Sequence, residues 1–283
     1  MKIAVITDSS SNLDMGYIKA QSNLEMTPLM ISYDGKFYRD LVEVDYETVY
    51  KKLDETKVTT SLPSLEDFEK AINKFKKAGY TDIIVITISS GLSGTFNGFN
   101  NIAQEHDDIN IHMYDSKTLS MALGYLVKKA IQSIEEGKSV SRIIADLNQL
   151  RYEDSMALFT VETLKYLRQG GRIGKVEGTI GELLRVKPVI YVSDEGVYET
   201  LTKGFGISRA LNSMRTAIKE KFHDQPVDVT IHYGTNLEKA ENLKTKIEFD
   251  LNVKGIDVIQ LTPVLGIHTG PEMFAFVVKK AEK

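Results

Sequence analysis

The sequence contains no cysteine, and this absence excludes several kinds of chemistry at once. Without thiols the chain has no disulfide, no thiolate nucleophile and no cysteine ligand for a metal. Histidine is also scarce: there are five, and no two of them stand at the spacing of a zinc-binding motif. The sequence therefore predicts no metal site and no thiol chemistry.

Long apolar runs are also lacking. The N-terminal run Ile3–Ile6 is short, whereas a secretory signal needs roughly 7–15 apolar residues and a membrane span about 18. No other stretch of the sequence reaches either length. We therefore expect a cytoplasmic protein with no integral membrane association.

The chain has no excess of positive charge. Lysine and arginine together number 35, against 39 aspartates and glutamates, so the net charge is −4. Proteins that bind nucleic acid usually carry a basic patch or stripe that neutralises phosphates, and no such stripe is visible here. Nucleic acid is not an expected partner.

What is present is the composition of an ordinary folded protein, with 42% hydrophobic and 26% charged residues. A chain of 283 residues suits two domains of moderate size. Continuous apolar runs at Ile3–Ile6, Asp82–Ile88 and Ile109–Tyr114 alternate with helical patterns, which predicts a parallel sheet covered by helices. The fold class is therefore α/β.

The second half of the chain alternates less regularly. A turn at Ser193–Gly196 between two apolar runs predicts a β-hairpin. We therefore expect a second α/β domain, smaller and with a mixed sheet. The predicted domains are residues 1–155 and 156–283.

Hydroxyl side chains concentrate where the predicted strands of the first half end. Asp8–Ser11, Ser89–Thr95 and Asp115–Ser116 each follow a strand, and a fourth loop, Thr59–Ser64, leads into a helix. Ligands of open α/β sheets bind at the carboxyl ends of the strands, where helix N-termini offer free N–H groups. Such loops suit a small carboxylate, although one loop of this kind more often only caps a helix.

Seven motifs in this order resemble those of the DegV family. They are Thr7–Ser10, Thr60–Ser64, Ser89–Thr95, Asp115–Ser116, Leu167–Lys175, Lys187–Pro188 and His268–Pro271. The chain is similar to the fatty-acid-binding subunits of bacterial fatty acid kinase. The resemblance implies two α/β domains, the second closing over a long-chain fatty acid that is buried between them, and no catalysis or cofactor.

The resemblance also implies the residues of the site. The groups that would bind the carboxylate are Thr60, Ser61, Ser93, Gly94 and His268. The supporting residues would be Ser9, Ser116, Arg172 and Thr269, although Arg172 could equally serve only to hold the structure. The implied partner is a dihydroxyacetone-kinase-like subunit that phosphorylates the bound acid to an acyl phosphate.

The sequence departs from the family pattern in several places. Leu62 replaces a polar glutamine, and Glu272 stands where a small residue is usual. Phe205 and Ile207 occupy positions where arginines are common in a segment thought to dock the kinase subunit. These last two substitutions weaken the prediction of a kinase partner more than that of fatty-acid binding.

Two other readings compete with a fatty-acid-binding protein. A serine hydrolase would use Ser93, an aspartate such as Asp115 or Asp228, and His268, but the nucleophile elbow needs glycine where Thr95 stands. A nucleotide enzyme would use a glycine-rich loop. The segment Gln169–Val176 lacks the first glycine and the final hydroxyl residue of a P-loop.

Overall fold

The computed structural model describes residues 2–179 and 185–282, which divide into two compact units. The first unit runs to Arg151 and takes in the short segment Thr262–Val264. The second holds Tyr152–Leu261 and the chain from Leu265 onward. In the described ranges, no helix is both long and apolar enough to cross a membrane.

A four-stranded parallel sheet forms the centre of the first unit. In spatial order its strands are β2 (Leu24–Thr27), β1 (Ile3–Asp8), β6 (Asp82–Thr87) and β7 (Asn110–Asp115). Three of these correspond to the predicted apolar runs, so the parallel sheet is confirmed. The helices of this unit are α1 (Met15–Ala20), α2 (Tyr46–Glu55), α3 (Leu65–Lys77), α4 (Thr95–Ala103), α5 (Ser120–Glu135) and α6 (Val140–Asn148).

The core of this sheet forms where helix periodicity meets strand alternation. Helix α3 buries Phe68, Ile72 and Phe75, which recur every three to four residues and so share one face. They pack with Ile6 of β1 and Phe99 of α4. Burying each side chain of this size contributes about 1.5–3 kcal/mol relative to leaving it in water, so this face fixes α3 and α4 on the sheet.

The first unit also contains a small antiparallel sheet, which is not predicted from the sequence. Its strands are β3 (Met30–Tyr33), β4 (Lys36–Arg39) and β5 (Thr59–Ser61), in the order β4-β3-β5. The prediction that Thr59–Ser64 is entirely a loop was therefore wrong, because its first three residues pair with β3. Strand β5 is short and polar, so it lacks the alternation that identifies a half-buried strand.

The second unit is built on a mixed sheet. In spatial order its strands are β10 (Tyr198–Phe205), β9 (Val186–Val192), β8 (Ser155–Val161), β13 (Met273–Lys280), β11 (Val227–Tyr233) and β12 (Val253–Gln260). Strands β9 and β10 pair antiparallel around the predicted turn, which confirms the hairpin. The helices are α7 (Lys165–Gln169), α8 (Ile207–Phe222), α9 (Leu237–Asp250) and α10 (Pro263–Thr269), of which Pro263 and Val264 are counted with the first unit.

A buried polar cluster holds Thr262–Val264 in the first unit. The carboxylate of Asp40 accepts hydrogen bonds from the Thr262 hydroxyl at 2.6 Å and from the Val264 amide at 3.1 Å. The side-chain oxygen of Asn12 accepts one from the Thr262 amide at 2.7 Å. Burial raises the pKa of Asp40 to about 6, although the hydrogen bonds from the Thr262 hydroxyl, Ser9 and the Val264 amide act in the opposite direction.

The raised pKa of Asp40 makes stability depend on pH. The folded chain binds a proton at this carboxyl more tightly than the unfolded chain does. The contribution of this protonation to the free energy of unfolding is therefore complete below about pH 4 and is lost as pH rises to about 6. We predict that acidification from pH 7 to pH 5 stabilises the wild type by about 1 kcal/mol relative to Asp40→Asn. Urea unfolding at both pH values measures the difference.

Asp54→Asn is the control for this comparison, because Asp54 is an exposed carboxylate of the same unit. Its unfolding free energy should follow the wild type at both pH values. Parallel pH curves for wild type and Asp40→Asn would contradict the assignment of a raised pKa to Asp40.

Candidate functional site

The carboxyl ends of three neighbouring parallel strands place three polar segments at one edge of the first unit. We call residues 8–12, 89–95 and 115–120 the carboxyl-end loops; they follow β1, β6 and β7. Their grouping follows from the parallel arrangement, because the carboxyl ends of parallel strands lie at the same edge. This edge is where the sequence predicted a ligand.

The first carboxyl-end loop is organised by Asp8, which is fully buried. Its carboxylate accepts hydrogen bonds from the Ser10 amide at 3.0 Å, the Ser10 hydroxyl at 2.5 Å and the Ile88 amide at 2.8 Å. Burial nevertheless raises its pKa to about 6. Asp8 therefore links the ends of β1 and β6, a role that its position at the end of a buried strand could have suggested.

Ser9 is buried and its hydroxyl is used inside the protein. The hydroxyl oxygen accepts a hydrogen bond from the Leu29 amide at 3.1 Å, and the hydroxyl donates to the Asp40 carboxylate. This arrangement gives Ser9 a structural task in holding the first carboxyl-end loop. Asp40 is a residue that the sequence analysis missed, because nothing near it in the sequence marks it as buried.

The second carboxyl-end loop carries Ser93 to the start of α4. Ser93 is half-buried, and its Oγ lies 2.9 Å from Oγ1 of Thr95 and accepts a hydrogen bond from the Thr95 amide at 3.3 Å. Gly94 is exposed beside it. A hydroxyl and the first amides of a nine-residue helix thus occur together, which is an arrangement that can donate several hydrogen bonds to an anion.

Thr60 and Ser61 lie on β5, which a close packing contact connects to α4. Leu62 follows β5 and lies against Gly98, because a Cβ atom at Gly98 would come within 3.0 Å of Leu62 Cδ1. Gly98 is one turn from Gly94, whose carbonyl accepts the Gly98 amide at 2.9 Å. The predicted carboxylate-binding residues of the first unit therefore belong to segments that pack on the same end of α4.

The third carboxyl-end loop is held by an ion pair and by its own hydroxyl. Lys117 Nζ lies 2.7 Å from the Asp115 carboxylate and donates to the Ser90 hydroxyl at 3.0 Å. Burial alone would raise the pKa of Asp115, but hydrogen bonds from Lys117 and Ser90 hold that pKa below its usual value. The buried Ser116 hydroxyl donates to the Thr118 carbonyl at 3.2 Å, which gives it a supporting role within the loop.

Three residues of the carboxyl-end loops have left-handed backbone conformations, which residues that carry a side chain rarely adopt. Asn12, Lys117 and Ser120 have positive φ angles of 55°, 52° and 55°, and Leu41, next to Asp40, has 62°. Such conformations cost roughly 1–3 kcal/mol for residues other than glycine, and they persist only when surrounding contacts impose them. The strain fits a functional edge that other parts of the structure stabilise.

In the second unit, His268 lies close to Arg172. His268 is half-buried with its Nδ1 out of contact with solvent, and the Arg172 guanidinium donates to the Gly170 carbonyl at 2.5 Å. Burial, with a smaller effect from Arg172, lowers the pKa of His268 to about 4. The imidazole is therefore neutral at pH 7. Thr269 is buried, and its hydroxyl donates to the Leu265 carbonyl at 3.4 Å.

The acids suggested for a hydrolase triad are engaged elsewhere. Asp228 pairs with Lys279 at 2.7 Å, and Asp115 receives the Ser90 and Lys117 amides. A triad needs a carboxylate that orients the histidine. The hydrolase alternative receives no support from these contacts. In residues 2–179 and 185–282, no group of three or more acidic or histidine side chains is arranged to hold a metal ion.

Known proteins similar to this chain share its whole length. A DegV domain-containing protein of Clostridium acetobutylicum is 35% identical over 279 residues, which cover 99% of each chain. One of Clostridium perfringens is 37% identical over 279 residues, again covering 99% of each.

Solved structures give the same result. A DegV family protein of Thermus thermophilus, described by its fatty-acid binding, superposes with a TM-score of 0.91 at 28% identity, covering 99% of this chain and 100% of that one. DegV of Bacillus subtilis, described as a fatty-acid-binding protein, has a TM-score of 0.87 at 26% identity, with 99% and 100% coverage. The profile of the DegV family, a family of uncharacterised proteins, matches residues 2–281. The chain belongs to the DegV family.

Proposed function

We propose that this protein binds one long-chain fatty acid and holds its carboxylate at the carboxyl-end loops of the first unit. The observation that carries the proposal is that Ser93 directly precedes the N-cap of α4, while Leu62, which follows Thr60 and Ser61, packs against Gly98 in the first turn of that helix. The fatty-acid binding of the Thermus thermophilus and Bacillus subtilis relatives supports it.

The chemistry of these loops suits a single carboxylate. Hydroxyl and amide donors can satisfy a charged oxygen at short range without an ion pair. An acyl chain transferred from water gains about 0.8 kcal/mol for each buried CH₂ group, so a long chain supplies most of the gross affinity. The polar end then has only to orient the ligand and to leave no donor or acceptor unsatisfied.

The residues of the proposed site divide into those that contact the carboxylate and those that support them. Thr60, Ser61, Ser93 and the Gly94 amide donate to the carboxylate, and His268 contributes a further polar contact. The supporting residues are Ser9, Ser116, Arg172 and Thr269. Since the imidazole of His268 is neutral at pH 7, it acts through a hydrogen bond and not through charge. The chain itself catalyses no reaction.

Removing a head-group hydroxyl should weaken binding without unfolding the protein. A hydrogen bond to a charged oxygen contributes about 1.5–3 kcal/mol, so Ser93→Ala and Thr60→Ala should each raise the dissociation constant for oleate roughly ten- to a hundredfold. The acyl-chain contribution is unchanged, so binding is weakened and not abolished. Isothermal titration with oleate measures the change.

Ser139→Ala is the matched control. Ser139 is the N-cap of α6 and accepts the Arg142 amide through its side chain, so its removal should cost about 1 kcal/mol of stability and leave oleate affinity unchanged. The assignment fails if Ser93→Ala and Thr60→Ala behave like this control, with lower melting temperatures and wild-type affinity.

The protein is further proposed to present the bound carboxylate to a separate kinase subunit, where a carboxylate oxygen attacks the γ-phosphorus of ATP to give acyl phosphate and ADP. The motifs shared with fatty-acid-binding subunits support this. Ile207 packs against the core of the second unit, whereas Phe205 is 67% exposed on the edge strand β10. An exposed aromatic ring at this position favours an apolar docking contact over a charged one.

Phe205→Ala should therefore slow acyl phosphate formation at least severalfold while leaving oleate affinity unchanged. The assay uses a purified dihydroxyacetone-kinase-like subunit, ATP and Mg²⁺. Phe249→Ala is the control, because Phe249 is 91% exposed on α9, a different element. Equal rates for the two variants would exclude Phe205 from the docking surface.

A further inference from the structure

Two glycines of the second unit each face a ring from the opposite segment. The turn that follows α7 contains Gly170, and the loop that follows α10 contains Gly270. Gly170 lies against the ring of His268, and Gly270 lies against the ring of Tyr166. The two segments therefore interlock, since each supplies one glycine and one ring.

The contact at Gly170 leaves no space for a side chain. A Cβ atom at this position would overlap His268 Nδ1 and would lie 2.7 Å from Cε1, well below the separation of real carbon atoms. The backbone of Gly170 has φ −78° and ψ −9°, a conformation that any residue adopts. Glycine is therefore required at residue 170 by the imidazole and not by the backbone.

The contact at Gly270 has a different origin. Its φ of +79° already favours glycine, and a Cβ atom would in addition lie 2.5 Å from Cε2 of Tyr166. Tyr166 is in α7, three residues before the last residue of that helix, and Gly170 directly follows that last residue. The two contacts therefore involve the same short helix. The α7 end and the α10 loop are thus held at two points, which restricts how His268 can turn.

The electrostatic surroundings of His268 depend on the same contact. The imidazole that packs against Gly170 is kept neutral by burial. The Arg172 guanidinium donates to the Gly170 carbonyl at 2.5 Å, and its positive charge lowers the pKa of His268 further. Moving the ring away from the Gly170 Cα would break the packing that keeps its Nδ1 out of contact with solvent. An imidazole in water returns to its ordinary protonation behaviour.

We infer that Gly170 is the positioning residue of His268: its bare Cα forms the surface against which the imidazole is seated for contact with a carboxylate ligand. The part of this inference that concerns the ligand rests on the proposed function. The part that concerns the histidine rests only on the geometry of the second unit.

The test is Gly170→Ala, followed by NMR titration of the His268 ring. The His268 signals are assigned from their loss in His268→Ala. We expect the pKa of His268 to rise from about 4 toward the ordinary value of 6.5, because the added methyl group expels the ring. Gly178→Ala is the control, since a Cβ atom at Gly178 meets nothing within 4 Å, and it should leave the titration unchanged. An unchanged His268 titration in Gly170→Ala overturns the inference.

A double variant keeps the inference testable if Gly170→Ala folds poorly. Removing the imidazole makes room for the methyl group, so Gly170→Ala with His268→Ala should melt at the temperature of His268→Ala alone. A double variant as unstable as Gly170→Ala would show that the overlap lies elsewhere and would overturn the inference.

Oleate affinity separates this inference from the proposed function. Gly170→Ala should weaken oleate binding as much as His268→Ala does, and the double variant should be no weaker than His268→Ala. A wild type that binds no fatty acid, with the His268 titration shifted as expected in Gly170→Ala, refutes the proposed function and leaves the positioning role of Gly170 intact.

Discussion

The buried carboxylate of Asp8 is the interaction on which the candidate site depends. It ties the end of β1 to the end of β6 by accepting the Ile88 amide at 2.8 Å, and it holds the turn at Ser10 through two further hydrogen bonds. A buried negative charge is costly, and only closely placed donors make it tolerable. Because the Asp8 carboxylate accepts the amides of Ser10 and Ile88, it fixes the backbone at the start of the two loops that begin there.

This arrangement separates hydroxyls that build the edge from those that can meet a ligand. The Ser9 and Ser116 hydroxyls are buried and bonded to neighbouring protein groups. Ser93 is half-buried at the start of α4, and Thr60 is half-buried on β5. Some hydroxyls of these serine-rich loops therefore hold the fold, whereas others belong to residues that are partly accessible to solvent.

The sequence allowed most of the regular structure to be predicted, because apolar runs such as Asp82–Ile88 and the turn at Ser193–Gly196 are local signals. It could not reveal β5, whose three polar residues pair with β3 only after the chain has folded. Ser64 stands at the N-cap of α3, but its side chain makes no capping hydrogen bond. The roles of Asp40 and Gly170 depend on residues more than 90 positions away in the sequence, which no local pattern records.

We propose above that the hydroxyl-rich edge of the first unit binds the carboxylate of a fatty acid. Mass spectrometry of lipid extracted from the protein, purified from a bacterial host, tests this most directly. We expect a long-chain fatty acid at close to one molecule per chain. Finding no such acid, together with no binding of added oleate or palmitate, would contradict it.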